Sequence, residues 1–190
     1  MDFNIEKGDQ KRIVIVGGGF GGLELAKNLR KTGMQIVLID KHNYHQFQPL
    51  IYQVASAGME PSSISFPYRR IFQKYKNLYF RLAEVKQIDV KNKKVITSIG
   101  SVSYDYVVLA AGATSNFFGN KEIEKGSMAM KSLSEAARIR NTVLANIERA
   151  ITTEDPVFRQ ELLNIVVVGG GATGVELAGV MSEMKKTILP

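Results

Sequence analysis

Ile13-Val14-Ile15-Val16-Gly17-Gly18-Gly19-Phe20-Gly21-Gly22-Leu23-Glu24-Leu25-Ala26 is the stretch that decides how this chain folds. Four β-branched residues in a row suit a strand buried on both faces of a parallel sheet. A glycine-rich turn follows, then a helix whose apolar residues Leu25, Ala26 and Leu29 recur at helical spacing. Each glycine of the G-x-G-x-x-G pattern has a task. Gly17 permits the tight turn out of the strand, Gly19 lets a pyrophosphate approach bare backbone, and Gly22 lets helix and strand pack closely. The helix N-terminus offers unpaired N–H groups and a partial positive charge to the same phosphates. Phe20 and Gly21 complete the turn.

The pattern occurs twice. Ile165-Val166-Val167-Val168-Gly169-Gly170-Gly171-Ala172-Thr173-Gly174-Val175-Glu176-Leu177-Ala178 repeats the first stretch at an offset of 152, with ten of fourteen positions identical. That period is far too long for a solenoid. One such motif alone is a weak signal; a strand, the motif and a helix, found twice, is a strong one for two nucleotide-binding starts. Residues 165–168 are therefore expected as a second buried parallel strand. Leu177, Met181 and Met184 supply the stripe of the second helix.

After the first helix, Gln35-Ile36-Val37-Leu38-Ile39-Asp40 reads as a second strand ending in an acid. Asp40 lies 18 residues past Gly22, near the spacing of about 20 at which a carboxylate accepts ribose hydroxyls. Lys41 follows and is counted with the candidate site, although solvation accounts for a lysine there. Residues 42–63 look like loop, with Pro49, Gly58 and Pro61. A short helix is expected over residues 67 to about 76, opened by Pro67. Residues 78–85, 88–90, 95–99 and 102–104 read as strands of a meander. The cluster Lys91-Asn92-Lys93-Lys94 forms one of its turns. Residues 106–113 read as another buried strand ending in small residues. Ser132 with Glu135 fits a capping box. It opens a helix to about Ile151, with Ala136, Ile139, Val143 and Ile147 on one stripe, and Pro156 starts a further short helix.

Composition narrows the function classes. No apolar run approaches the roughly 18 to 20 residues that span a bilayer. Met1-Asp2-Phe3-Asn4-Ile5-Glu6 has neither the basic start nor the apolar core of a signal peptide, so a cytoplasmic location is the expectation. With no cysteine in the chain, disulfides, thiolate metal sites and thiol catalysis are excluded from it. His42 and His45 are too few for a metal site and read as solvated loop residues. The net charge is +7, but the basic residues are scattered rather than gathered on one run, so no nucleic-acid partner is expected.

Taken in order, several segments resemble one known group: residues 16–22, Asp40, His45-Gln46-Phe47-Gln48-Pro49-Leu50-Ile51-Tyr52, Ala110-Ala111-Gly112-Ala113, and Gly169-Gly170-Gly171-Ala172-Thr173-Gly174-Val175-Glu176-Leu177-Ala178-Gly179. The chain resembles the N-terminal part of a type II NADH:quinone oxidoreductase, the non-proton-pumping NADH dehydrogenase, within the two-dinucleotide flavoproteins. The resemblance implies an α/β fold. A Rossmann-type FAD-binding domain, a parallel sheet plus a β-meander, would occupy residues 1–115, and residues 116–190 would start a second Rossmann-type domain for NAD(P)H. It also implies roles. Gly17, Gly18, Gly19, Phe20, Gly21 and Gly22 would hold the FAD pyrophosphate and Asp40 the adenosine ribose. Val85 backbone would lie near the adenine, Ala111 and Gly112 along the flavin nucleotide, and Gln48 and Pro49 toward the isoalloxazine. Gln48 departs from the smaller hydroxyl residue of such enzymes. Gly169, Gly170, Gly171, Ala172, Thr173 and Gly174 would receive NADH. Glu176 would stand near the nicotinamide–flavin contact as the one catalytic candidate. The repeat, however, puts Glu24 at the equivalent place, and a glutamate there also suits the first turn of either helix.

The implied activity is hydride transfer from NADH to FAD and onward reduction of a quinone, the whole enzyme being peripheral on the cytoplasmic face of a membrane. Two other readings stay open. One is another reductase of the same superfamily, of the ferredoxin or rubredoxin type. The other is a nucleotide-binding module without turnover. The counterpart of Asp40 at the repeat offset would fall at position 192, past Pro190. The 190-residue chain is therefore expected to lack NADH:quinone activity by itself. It is also expected to expose Val180, Met181 and Met184 and to self-associate through them.

Overall fold

The computed structural model of the chain describes residues 3–188; Met1, Asp2, Leu189 and Pro190, which enter the readings of the two termini, lie outside the described residues. In chain order the elements are β1 (Arg12–Val16), α1 (Phe20–Asn28), β2 (Gln35–Asp40), β3 (Tyr44–Gln46), α2 (Ile51–Ala55), β4 (Ser65–Pro67), α3 (Tyr68–Ile71) and β5 (Leu78–Leu82). They continue with β6 (Val85–Asp89), β7 (Lys94–Thr97), β8 (Gly100–Ser103), β9 (Tyr106–Leu109), α4 (Lys121–Gly126), α5 (Leu133–Thr152), α6 (Pro156–Leu163) and α7 (Ala172–Ile188). The chain divides into two compact units, residues Met1–Gln46 with Ser65–Ala113, and Phe47–Ile64 with Thr114–Pro190.

The first unit is built on a parallel sheet of order β5-β2-β1-β9. β1 has a ladder on each side, Val14 facing Val37 of β2 and Val107 of β9. Its residues alternate between two cores, as the two-residue strand period requires. Ile13, Ile15, Ile36 and Leu38 face Leu23 and Ala26 of α1 together with Tyr68, Phe72 and Phe80. Val14, Val16, Val37 and Ile39 face the antiparallel sheet β6-β7-β8 through Val95, Val102 and Tyr104, with Phe3 closing that core. Both faces of the sheet are therefore dry at its central strands β1 and β2, and a continuous β-branched run is the composition such a strand needs.

Four expectations are corrected here. Residues 78–85 are not one meander strand. Leu78–Leu82 pairs in parallel with β2, and the meander begins at Val85. A five-residue strand carries no mark of its partner, so parallel and antiparallel pairing look alike in sequence. β9 is half exposed rather than buried, with Tyr106 and Leu109 open, because it lies at the sheet edge. Residues 42–63 are not plain loop, since β3 pairs with β4 and Ile51–Ala55 is helical. The helix after Pro67 is one turn, Tyr68–Ile71.

The second unit is helical. α5 carries the expected capping box, Ser132 accepting from the Glu135 N–H while the Glu135 carboxylate accepts from the Ser132 N–H. Its stripe of Ala136, Ile139, Val143 and Ile147 is buried, and it packs with α2 and α6. Asp155 caps α6, which Pro156 opens. α7 packs against α2, and Met181 and Met184 are buried. The expectation that these two methionines are exposed is therefore wrong. Residues 165–168 form no strand, against expectation, and Val166 is 82% exposed. A strand exists only through its ladder, and among the described residues none pairs with this segment.

Candidate functional site

The first glycine turn grows out of β1. The Gly17 N–H donates to the Ile39 carbonyl at 2.8 Å, continuing the β1–β2 ladder into the turn. Gly17 sits at φ +101°, and a Cβ there would overlap the Ala110 carbonyl where β9 ends. Glycine is forced at this position twice, by conformation and by space. At Gly22 a Cβ would overlap the Gly17 carbonyl oxygen, which is the close helix–strand approach expected of that position. Gly19 differs: a Cβ there would meet nothing within 4 Å. It is the N-cap of α1, it is exposed, and its carbonyl accepts from the Leu23 N–H at 2.9 Å. The turn thus offers bare backbone and a helix N-terminus on its open side, the arrangement that receives a phosphate.

Asp40 stands at the end of β2 beside this turn. Its Oδ2 accepts from the Gly18 N–H at 2.6 Å and its Oδ1 from the His42 N–H at 2.8 Å. The Tyr68 hydroxyl also lies 3.4 Å from Oδ2. Each carboxylate oxygen has about two acceptor sites, so Oδ1 keeps one for a hydroxyl, while Oδ2 shares its second with Tyr68. The residues therefore fit a dinucleotide with its pyrophosphate on the turn and a ribose on Asp40.

Two residues at this turn escaped the sequence reading. Tyr68 is buried, and its hydroxyl donates to the Gly18 carbonyl at 2.7 Å. Burial, with the Asp40 charge nearby, pushes the phenol well above its ordinary range, so it is a donor at any physiological pH. His45 Nδ1 lies 3.1 Å from the same carbonyl. A carbonyl only accepts, so the ring proton sits on Nδ1. His45 is buried, with the Phe20 ring edge-on at 5.2 Å; it is not the solvated loop histidine expected. A Cβ on Gly18 would overlap the Tyr68 hydroxyl and ring. Gly18 occupies an unrestricted place in the motif, and a glycine there was the one signal that something presses on it.

The other expected site residues are dispersed. Lys41 is exposed, Val85 opens β6, and Ala111 and Gly112 are exposed beyond β9 with Gly112 at φ +71°. Gln48 and Pro49 belong to the second unit, in a 3-10 turn, and Gln48 Nε2 donates to the Lys131 carbonyl at 3.4 Å. The second glycine turn keeps its local geometry. Gly169 is at φ +111°, a Cβ on Gly174 would overlap the Gly169 carbonyl, and the Val175 N–H donates to Gly171 at 3.1 Å. Gly170, Gly171, Ala172 and Thr173 are exposed around it. Glu176 is exposed, the fifth residue of α7, as Glu24 is of α1. Neither lies in the first turn, so the helix-dipole account of this glutamate is dropped. No helix among the described residues is long and apolar enough to cross a membrane.

Over residues 11–189 the chain matches the pyridine nucleotide-disulphide oxidoreductase family. It is 37% identical over 182 residues to a type II NADH:quinone oxidoreductase, Ndh, of Mycobacterium tuberculosis, covering 94% of this chain and 39% of that protein. It is 36% identical to a mitochondrial external alternative NAD(P)H-ubiquinone oxidoreductase, B2, of Arabidopsis thaliana, covering 92% of this chain and 32% of that one. Among solved structures, NDH2 of Plasmodium falciparum in complex with NADH superposes with a TM-score of 0.87 at 23% identity, over 95% of this chain and 38% of that one. The chain spans about two fifths of the length of the first of these relatives.

Proposed function

The chain belongs to the pyridine nucleotide-disulphide oxidoreductase family, and from that premise we propose that it binds FAD on residues 17–22 and Asp40 as part of an NADH:quinone oxidoreductase. The observation that carries this is the first turn: open backbone at Gly19, a helix N-terminus behind it, and a carboxylate at the end of β2 with acceptor capacity left over. When bound, FAD accepts a hydride and releases electrons in turn, which is the chemistry needed between a nicotinamide and a quinone. The chain's own residues bind and orient. Residues 17–22 take the pyrophosphate, Asp40 the ribose, Val85 the adenine surroundings, Ala111 and Gly112 the flavin nucleotide, Gln48 and Pro49 the flavin ring. Residues 169–174 take NADH, with Glu176 at the contact between the two nucleotides.

Replacing Asp40 with Ala tests the assignment. A hydrogen bond to a charged group contributes about 1.5–3 kcal/mol, so FAD affinity measured by flavin fluorescence should fall roughly ten- to a hundred-fold. The larger end is expected, because Asp40 also holds the Gly18 N–H. Unchanged affinity removes Asp40 from the site.

A second reading, a nucleotide-binding module without turnover, is favoured by the unpaired residues 165–168. Hydride transfer needs reacting atoms about 3–3.5 Å apart, and a turn fed by an unpaired segment does not hold that pose. The purified chain with FAD, NADH and a soluble quinone should show no turnover. Rates of about 1–10³ per second, usual for enzymes, would defeat this reading. Two finer proposals go with the main one. A quinone partitions into lipid, so the whole enzyme would work at a membrane surface, on its cytoplasmic side. Copies of this chain would associate through exposed Ile165, Val166 and Val168, rather than through Met181 and Met184, and light scattering on the same sample checks it.

A further inference from the structure

We infer that Tyr68 and His45 are positioning residues that clamp the Gly18 peptide and so aim the Gly19 N–H at the cofactor pyrophosphate, an inference that rests on the FAD reading above. The Gly18 carbonyl receives two donors from one side, Tyr68 Oη at 2.7 Å and His45 Nδ1 at 3.1 Å. The Gly18 N–H is taken by Asp40 Oδ2 at 2.6 Å. Both polar groups of one residue are thus fixed by side chains 22 to 50 positions away. In a planar trans peptide the carbonyl and the following N–H point in opposite directions. The donors that hold the Gly18 oxygen inward therefore turn the Gly19 N–H outward. That is the exposed side, where a Cβ on Gly19 would meet nothing within 4 Å.

The clamp is itself rigid. The Tyr68 ring lies 4.9 Å from Phe80 and stacks at 6.3 Å on Phe72, and Pro67 sets the start of its helix. His45 is placed by β3, whose register with β4 puts it opposite Phe66, two residues before Tyr68. One pair of antiparallel strands, joined through residues 47–64, therefore delivers both donors, His45 from β3 and Tyr68 from the residue after β4. The turn geometry alone does not require this: in the second copy Gly170, the counterpart of Gly18, has open space around it. A preorganised N–H costs a ligand less ordering on binding, and that is the advantage assigned to the first turn.

The test is FAD titration of the 190-residue chain, followed by flavin fluorescence, for the wild type, Y68F, H45L, H45N and the Y68F/H45L pair. Y68F keeps the ring packing and removes the hydroxyl, with its bond to the Gly18 carbonyl and its 3.4 Å contact with Asp40 Oδ2, whereas H45L leaves the Tyr68–Asp40 contact in place. H45N keeps a donor on the γ-carbon amide, near the place of Nδ1. Leaving a buried carbonyl short of a donor should weaken FAD binding roughly ten-fold in Y68F and several-fold in H45L. H45N should recover binding to within about two-fold of wild type. The pair should lose more than the product of the single losses, because each donor partly covers for the other. Without cofactor, amide exchange at residues 18–22 should quicken in Y68F and H45L while β1 stays protected. If wild type binds FAD and both single variants bind it equally well, the clamp is overturned and the FAD reading stands. A loss in H45L that H45N fails to recover also overturns it. No binding by wild type overturns the FAD reading and the clamp with it.

Discussion

Gly17 and Gly169 take the same left-handed backbone, φ +101° and +111°, and in both copies the last glycine of the motif sits against the first one's carbonyl. What lies upstream differs. Val14 is fully buried between two ladders, whereas Val166, its counterpart at the repeat offset, is 82% exposed. Near-identical sequence produces the same turn twice and the same strand once. The turn is local, set by glycine conformations and by contacts within a few residues. The strand is non-local, set by partners tens of residues away. A nucleotide site needs both, because the turn must be held still while a phosphate settles on it.

The largest expected difference between the copies is in amide exchange. Amides of β1 should be protected over residues 165–168 by a factor on the order of 10³ or more, since core strands open only with much of the global stability and unpaired segments open freely. Hydrogen exchange read by mass spectrometry decides it. Comparable protection of the two segments would mean that residues 165–168 do find a ladder in solution, and the comparison would collapse.

Next in size is the response to a methyl group. Gly22→Ala forces a Cβ into the Gly17 carbonyl, where neither α1 nor the two-sided sheet can give way. Overpacking of this kind costs about 1–3 kcal/mol and sometimes more. Gly174→Ala meets the same local clash, but its turn is not tied to a sheet and can shift. Urea unfolding should register a clear loss for the first variant and little for the second. Equal losses would show that the second turn is anchored after all.

This difference also explains how much was legible in the sequence. Both turns, α1 and the stripe and capping box of α5 depend on period and on neighbours within four residues, and they stand where the residues put them. β1 and β2 stand there too, but the identical logic failed at residues 165–168, with which none of the described residues pairs. Asp40 was legible because the motif fixes its distance along the chain. The parallel pairing of Leu78–Leu82, the edge position of β9 and the unpaired residues 165–168 were not, because pairing is a property of two segments and the run of side chains reports on one. The clamp on Gly18 was hidden for the same reason. His45 comes from a stretch whose Pro49, Gly58 and Pro61 made it look like loop, and Tyr68 from a segment that reads only as a short helix. Only the β3–β4 pairing brings them to the turn.

The smallest expected effect concerns how the two copies begin. Asp105 holds the start of β1: its Oδ2 accepts from the Arg12 N–H at 2.7 Å, and its own N–H donates to the Arg12 carbonyl at 2.9 Å. Lys7 adds an ion pair at 3.0 Å. The counterpart of Arg12 at the repeat offset is Asn164, whose N–H is spent on the end of α6, toward the Gln160 and Glu161 carbonyls. The Arg12 N–H first, then Lys7, hold the Asp105 carboxyl below its ordinary value. An unfolded aspartate titrates near about 3.9. A carboxylate with a lowered folded value therefore stabilises the fold above that pH, and the contribution is lost as pH falls through the folded value. Asp105→Asn keeps a neutral acceptor for Arg12 and removes the charge. Its melting temperature should lie below that of wild type at pH 7, and the gap should close as the wild-type carboxylate protonates in acid. Added salt should narrow the part of the gap that comes from Lys7, because that pair is exposed and screened. A gap that keeps its size from neutral pH to acid would show that the charge on Asp105 does not anchor β1, and that the ladders with β2 and β9 hold the first copy by themselves.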